Sequence, residues 1–376
     1  MLCLGDATKD QSLSEHFGSR TGANVIHANV DTRCRDVLWR AVALLDLFVA
    51  VGLLVSGEGA QGQQHTGMTT ESAPVRSVAI TIDDLPGAVP GTDKSAGKLR
   101  DLERENRQIL HVLARHKVPA IGFVIEAKLQ VSGERDARAA LLEKWIDAGM
   151  ELGNHTYSHM HFDDTSLEQF EDETVRGEVV TRALLTSHGK TEHYFRHPAL
   201  STGATQEAKT EFEAFLNSRG YQIAPVTVEN ADYQFNDVLD DARHHRDKKL
   251  AARTKAEYLK HTQANFLYAE DASRKLFNHE ASQVLLIHDN EINAEVLDTL
   301  LTDLEGRGYR FVSLDGALSD PVYGTRETFI GNLGACYLCW RSRLAAVGHK
   351  LDNSAGPEPP AWVTKRFEEI RKAHTD

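Results

Sequence analysis

The stretch Gly153-Asn154-His155-Thr156-Tyr157-Ser158-His159 sets two imidazoles four residues apart, just after a short apolar segment. On a helical turn, residues four apart share a face, so both rings would point at one ion. The stretch holds no cysteine, so the ligands would be nitrogen and oxygen. Taken alone, the pair fits two polar loop histidines equally well. A metal site needs a carboxylate and further catalytic groups in matching positions. Such groups recur: Asp83-Asp84 follows an apolar run at 77–82, Arg196 follows 192–195, Asp232 follows a run near 223–228, and His288 follows 284–287. Any one of these fits a turn residue, but five such coincidences do not.

The elements that must position these groups alternate along the chain. Short apolar runs at 77–82, 120–125, 150–152, 192–195, 223–228, 284–287 and 309–313 read as strands. The segments between them carry helical spacing at 98–117, 137–148, 167–187, 206–219 and 291–307. A repeated strand–helix order implies a parallel sheet, and this number of units suggests a closed or nearly closed barrel whose C-terminal strand ends meet at one mouth. The first strand is expected to stop at Asp83-Asp84, because adjacent strand residues point opposite ways and both carboxylates reach the mouth only if the strand ends there. A long helical region at 237–278 departs from the rhythm and reads as an insertion packed on the outside. Past Asp320 the chain reads as an irregular extension with a small surface helix at 362–373.

The chain has 376 residues, enough for one barrel of roughly 250 residues plus extensions or for two small domains. We divide it into an N-terminal extension at 1–73, a catalytic domain at 74–320 and a C-terminal extension at 321–376. A formal net charge of −13 argues against general nucleic-acid binding. The basic run Arg243-His244-His245-Arg246-Asp247-Lys248-Lys249 reads as a solvated helix face.

Residues 41–55 resemble the apolar core of an export signal, interrupted by Asp46 and followed by small residues at 57–60. The alternative is an amphipathic N-terminal helix. The segment lies far from Met1, which suggests a start further downstream, for example at Val37. It is too short for a stable membrane span. Export to the periplasm or outside the cell is the expectation, with a mature N-terminus between Gly57 and Glu71. Of the four cysteines, Cys3 and Cys34 would then be removed, leaving Cys336 and Cys339 as a Cys-x-x-Cys without the second pair that a zinc ribbon needs.

Five stretches in order resemble the polysaccharide deacetylase family, the NodB-type carbohydrate esterases of family 4. They are Thr81-Ile82-Asp83-Asp84, His155-Thr156-Tyr157-Ser158-His159, Phe195-Arg196-His197-Pro198, Glu229-Asn230-Ala231-Asp232 and Leu286-Ile287-His288-Asp289. The resemblance implies a distorted (β/α) barrel of about seven parallel strands. It implies that Asp84, His155 and His159 hold one divalent ion, zinc in the first place with cobalt or nickel as alternatives. Asp83 would be the general base, Arg196 its orienting cation, His288 the general acid and Asp232 the carboxylate beside it. Leu286 would line the acetyl pocket, the Ala199 backbone would meet the oxyanion, and Tyr233 would stack on a sugar. The chain departs from the family pattern at His197, at Ala199-Leu200, and at Glu229 and Tyr233, which would alter the groove wall; Glu229 is given no role.

The expected function is removal of N-acetyl groups from amino sugars in a polysaccharide or oligosaccharide, with an acetylated glycan as partner. The alternatives are the same apparatus acting on a C–N amide of a small molecule, or a carbohydrate-binding pseudoenzyme. Oligomeric state is not readable from the sequence.

Overall fold

β1 (Arg76–Leu85) is the strand on which the sheet is assembled, and all but its first two residues are buried. In this computed structural model, which describes residues 76–90, 96–325, 330 and 356–375, β1 pairs in parallel with three other strands. They are β2 (Ile121–Val124), β7 (Gln283–His288) and β8 (Tyr309–Phe311). β3 (Glu151–Asn154), β4 (Tyr194–Phe195) and β5 (Gln222–Ile223) continue outward beyond β2, and β6 (Val228–Glu229) lies beyond β7. The order is β5-β4-β3-β2-β1-β7-β6, every neighbouring pair is parallel, and β8 joins β1. This is the distorted (β/α) barrel. The edge strands β5 and β6 follow one another in the chain, yet among the described residues no ladder joins them, so the barrel stays open at that seam. The run expected as one strand near 223–228 is these two short strands.

Strand alternation sorts β1 into two faces. Val78, Ile80 and Ile82 join a core with Ile109 and Leu113 of α1 (Leu99–His116), Leu142 and Trp145 of α2 (Arg135–Asp147), and Leu297 and Leu301 of α8 (Glu291–Gly306). Thr81 and Asp83 take the other face, in register with Leu286 and His288 of β7. Contrary to expectation, β1 does not stop at the two aspartates. Its register shifts between Ile82 and Leu85, and Asp84 adopts φ 73°. This irregularity, not a strand end, turns the second carboxylate toward the mouth beside the first.

The helix expected at 167–187 is broken into α3 (Leu167–Arg176) and α4 (Val179–Ser187). A Cβ on Gly177, between them, would lie 2.5 Å from the carbonyl carbon of Thr156, so this glycine lets the chain seat itself against the histidine loop. α5 (Gln206–Ser218) packs Phe212 and Leu216 onto Phe170 and Phe195.

The long helical region is also two helices, α6 (Asp232–His244) and α7 (Lys248–Phe277), and α7 is no external insertion. Its Phe266 and Ala269 belong to the main core, and Tyr258, Thr254 and Thr262 are fully buried. After β8 and the short α9 (Leu314–Leu318), the next described helix is α10 (Ala361–Thr375). The surface helix expected there instead packs on α6, with Val363 fully buried among Phe235, Val238 and Leu239.

The expected signal segment and all four cysteines lie outside the described residues. Among the described residues no helix is long and apolar enough to cross a membrane.

Candidate active site

The strand ends open on a cavity of about 490 Å³. Of the ten side chains singled out in the sequence, eight line it: Asp83, Asp84, His155, His159, Ala199, Tyr233, Leu286 and His288. Arg196 and Asp232, both fully buried, stand behind Asp83 and His288.

The two histidines converge by a route other than the expected helical turn. Residues 155–159 form an irregular loop in which Thr156 and His159 take left-handed conformations, φ 63° and 60°. Asn154 closes the turn by accepting the Thr156 N–H at 2.8 Å, while its amide donates to the Thr174 carbonyl at 2.9 Å. Glu173, at the end of α3, accepts both the N–H and the hydroxyl of Ser158 at 2.7 Å. His155 Nδ1 is 2.8 Å from the Arg196 carbonyl, an acceptor only, so this nitrogen carries the proton and Nε2 keeps its lone pair. Burial lowers the pKa of His155 to about 4, which keeps the ring in the neutral form a metal requires.

Asp84 Oδ1 lies 3.5 Å from Nε2 of both His155 and His159, and this oxygen is buried with no hydrogen-bond partner. A buried carboxylate oxygen left facing two imidazole nitrogens fits a cation between them, and the mixed nitrogen and oxygen set suits a divalent transition ion. The other oxygen, Oδ2, is 3.5 Å from Nζ of Lys128, which also donates to the Gly87 carbonyl at 2.9 Å. Burial opposes ionisation of Asp84, but the Lys128 ammonium and the imidazoles of His159 and His288 hold its pKa far below the usual carboxylate range. Lys128 is a residue the sequence reading missed.

Asp83 lies beside this set. Its Oδ2 is 3.8 Å from His155 Nε2 and 3.7 Å from the Arg196 guanidinium. That guanidinium is anchored by donation to the Thr81 hydroxyl at 2.9 Å and lies 4.8 Å from the centroid of the Phe123 ring. Burial raises the pKa of Asp83 and Arg196 works against it, leaving the carboxyl above its ordinary value.

His288, in register with Asp83 on the neighbouring strand β7, is held by Asp232, which accepts the His288 N–H at 2.7 Å and faces its Nδ1 at 2.6 Å. Asn290 and Asn293 donate to the same carboxylate at 3.2 and 2.5 Å. Asn290 also caps α8 through its side-chain oxygen, and Asn293 accepts the Tyr258 hydroxyl at 2.6 Å. Burial disfavours a charged His288, but Asp232 outweighs it and lifts the pKa to about 10, so the ring is an imidazolium at neutral pH.

Leu286 forms a small apolar cluster with Val226 and Leu200. Glu229, given no role from the sequence, is half-buried in the cavity wall, where burial lifts its carboxyl to about 7. His197, which interrupts the third motif, belongs to the core among Phe162, Phe170, Phe195 and Phe212.

Residues 70–215 match the sequence model of the family described as polysaccharide deacetylase. No curated protein matches the chain. Among solved structures, a CE4 family pseudoenzyme from Bacillus anthracis is 17% identical, covering 65% of this chain and 66% of that one, with a TM-score of 0.45. A peptidoglycan deacetylase from Bacillus subtilis is 19% identical, covering 65% and 91%, with a TM-score of 0.42. A polysaccharide deacetylase from Bacillus cereus is 16% identical, covering 63% and 91%, with a TM-score of 0.43.

Proposed function

We propose that the chain, whose residues 70–215 match the polysaccharide deacetylase family model, is an exported hydrolase removing N-acetyl groups from amino sugars of a glycan. The observation that carries this reading is one cavity with a carboxylate–imidazole donor set on one side and an imidazolium on the other, with Asp83 beside the donor set.

Asp84, His155 and His159 would hold a divalent ion, zinc foremost. Such an ion, when bound, polarises the amide carbonyl and lowers the pKa of water. Asp83 takes the proton from the attacking water, and Arg196 orients this carboxylate and favours its ionised form. As the C–N bond breaks, His288 delivers its proton to the departing nitrogen, because an amine anion is a very poor leaving group. Asp232 fixes the ring through Nδ1 and so directs Nε2 to the substrate. The Leu286, Val226 and Leu200 cluster receives the acetyl methyl group, and the Ala199 N–H meets the developing oxyanion.

Acetate release from a panel of N-acetylated glycans, with zinc supplied and with Asp83→Asn as control, tests the reading. Release by the wild type and not by the variant is expected; no release from any glycan overturns it.

A further inference from the structure

Lys128 is a buried charge beside the donor set to which the mechanism above gives no part. Its side chain is 3% exposed, and a buried ammonium is costly unless it is paired. Nζ lies 3.5 Å from Asp84 Oδ2 and donates to the Gly87 carbonyl at 2.9 Å. The other oxygen of the same carboxylate, Oδ1, faces His155 and His159. One carboxylate is thus shared between an ammonium at one oxygen and the place for a cation at the other.

The ammonium is held where it is. The turn that carries it, Glu126–Leu129, is tied at three successive residues. Glu126 accepts the N–H groups of Val180 and Thr181 at 2.8 and 2.7 Å, the Ala127 N–H donates to the Tyr157 carbonyl at 2.8 Å, and the Lys128 carbonyl accepts from the buried Arg138 guanidinium at 3.2 Å. Burial lifts a second carboxyl, Asp289, to about 7 against the pull of the same ammonium, so at neutral pH it carries only part of a charge. Asp84 is therefore the main counter-charge of Lys128.

An ammonium so placed acts on a divalent ion in two ways of the same sign: it repels the ion, and it competes with it for one carboxylate. Its opposite effect, keeping Asp84 ionised, is the smaller, because an ion with twice the charge at roughly 2 Å from the oxygen does that by itself. We propose that Lys128 is the stand-in counter-ion of the metal site: it holds Asp84 charged and aimed before an ion arrives and weakens the hold on the ion afterwards, so that the site is both preformed and exchangeable. This rests on the donor set of the deacetylase reading above and deepens it. By reciprocity, what Lys128 gives to the ion-free chain is subtracted from the affinity for the ion.

The test is the zinc affinity of the full chain, read by competition with a chelating dye in the absence of substrate. Lys128→Met and Lys128→Gln should bind zinc about tenfold tighter or more, within the usual range of a coupling between two sites. Lys128→Arg keeps the charge and should stay close to the wild type. Zinc should also raise Tm further in Lys128→Met than in the wild type, because the ion-free variant leaves Asp84 without its ammonium. Damage to the fold weakens zinc binding, the opposite direction, and so does not imitate the expected result. Tighter zinc in neither neutral variant, equal tightening by Lys128→Arg, or no zinc bound by the wild type would overturn the proposal. Acetate release is scored separately: tightened zinc binding without acetate from any glycan keeps Lys128 in this role and removes the deacetylase reading, and acetate release with unchanged zinc affinities does the reverse.

Discussion

The two sides of the cavity are held in different ways. On the side of Asp84, His155 and His159, the backbone does the positioning. The irregularity in β1 and the loop at 155–159 between them use three left-handed non-glycine residues, Asp84, Thr156 and His159, conformations that cost on the order of 1 kcal/mol or more each. A buried carboxylate oxygen is left there without a partner. On the side of His288, side chains do the positioning. Asp232 accepts from His288, Asn290 and Asn293, and Tyr258 of α7 braces Asn293 from below. On the proposed reading a cation would complete the first side, whereas the second is complete within the chain. Loss of metal should therefore disable the first side and leave the second folded as it is.

The largest effect should come from the adjacent aspartates, which belong to different parts of the first side. Asp84→Ala removes one of the three proposed ligands, so bound metal should fall steeply and activity should recover in part at high metal. Asp83→Asn keeps all three and loses the proposed base, so metal by elemental analysis should stay near stoichiometric while turnover falls by about a hundredfold or more. If Asp83→Asn loses the ion and Asp84→Ala keeps it, the two roles are reversed.

On the other side, His288→Ala should spare the metal and slow turnover by roughly a hundredfold. Asp232→Asn sharpens this point through pH. Asp232 raises the His288 pKa, so the alkaline limb of kcat/KM should lie near pH 10 in the wild type and move to lower pH in the variant, toward the ordinary histidine value. An unmoved limb would take the proton away from His288.

Gly177→Ala is expected to lower metal affinity by about tenfold to a hundredfold while sparing the His288 side, since the new methyl group would push the backbone at Thr156 and Tyr157. Metal titration of the variant checks it, and unchanged affinity would show that the loop is not seated by this contact. The smallest effect belongs to Tyr258→Phe, which removes two buried hydrogen bonds, one given to Asn293 and one accepted from Asn230, each worth about 1 kcal/mol, and should cost only several-fold in rate, with metal binding intact. A loss as deep as that of His288→Ala would mean that the brace controls the ring far more tightly than these bonds allow.

Much of this site was legible in the chain because the participating residues lie at or shortly after the C-terminal parts of strands, and parallel strands bring those parts together whatever lies between. Asp83, Asp84, His155, His159 and His288 were found in that way. Lys128 was not, because it lies on a short 3-10 turn (Glu126–Leu129) whose contact with Asp84 spans 44 residues, and an isolated lysine ordinarily reads as solvated. α7 was misread because its buried side includes Thr254, Tyr258, Thr262 and Asn265, a polar face that no apolar period reveals. The place of α10 in the cavity wall was hidden for a similar reason. Its apolar residues mark an amphipathic helix and say nothing of which helix it meets.

The order in which the cavity wall is synthesised has a consequence of its own. Every other residue lining it lies at or before Asn290, whereas Phe367 and Arg371 are added only after residues 291–360 have been made. A nascent chain thus possesses Asp83, Asp84, His155, His159 and His288 well before it possesses the last wall. Until α10 emerges and docks on α6, the groove stays open on that side to bulk solvent.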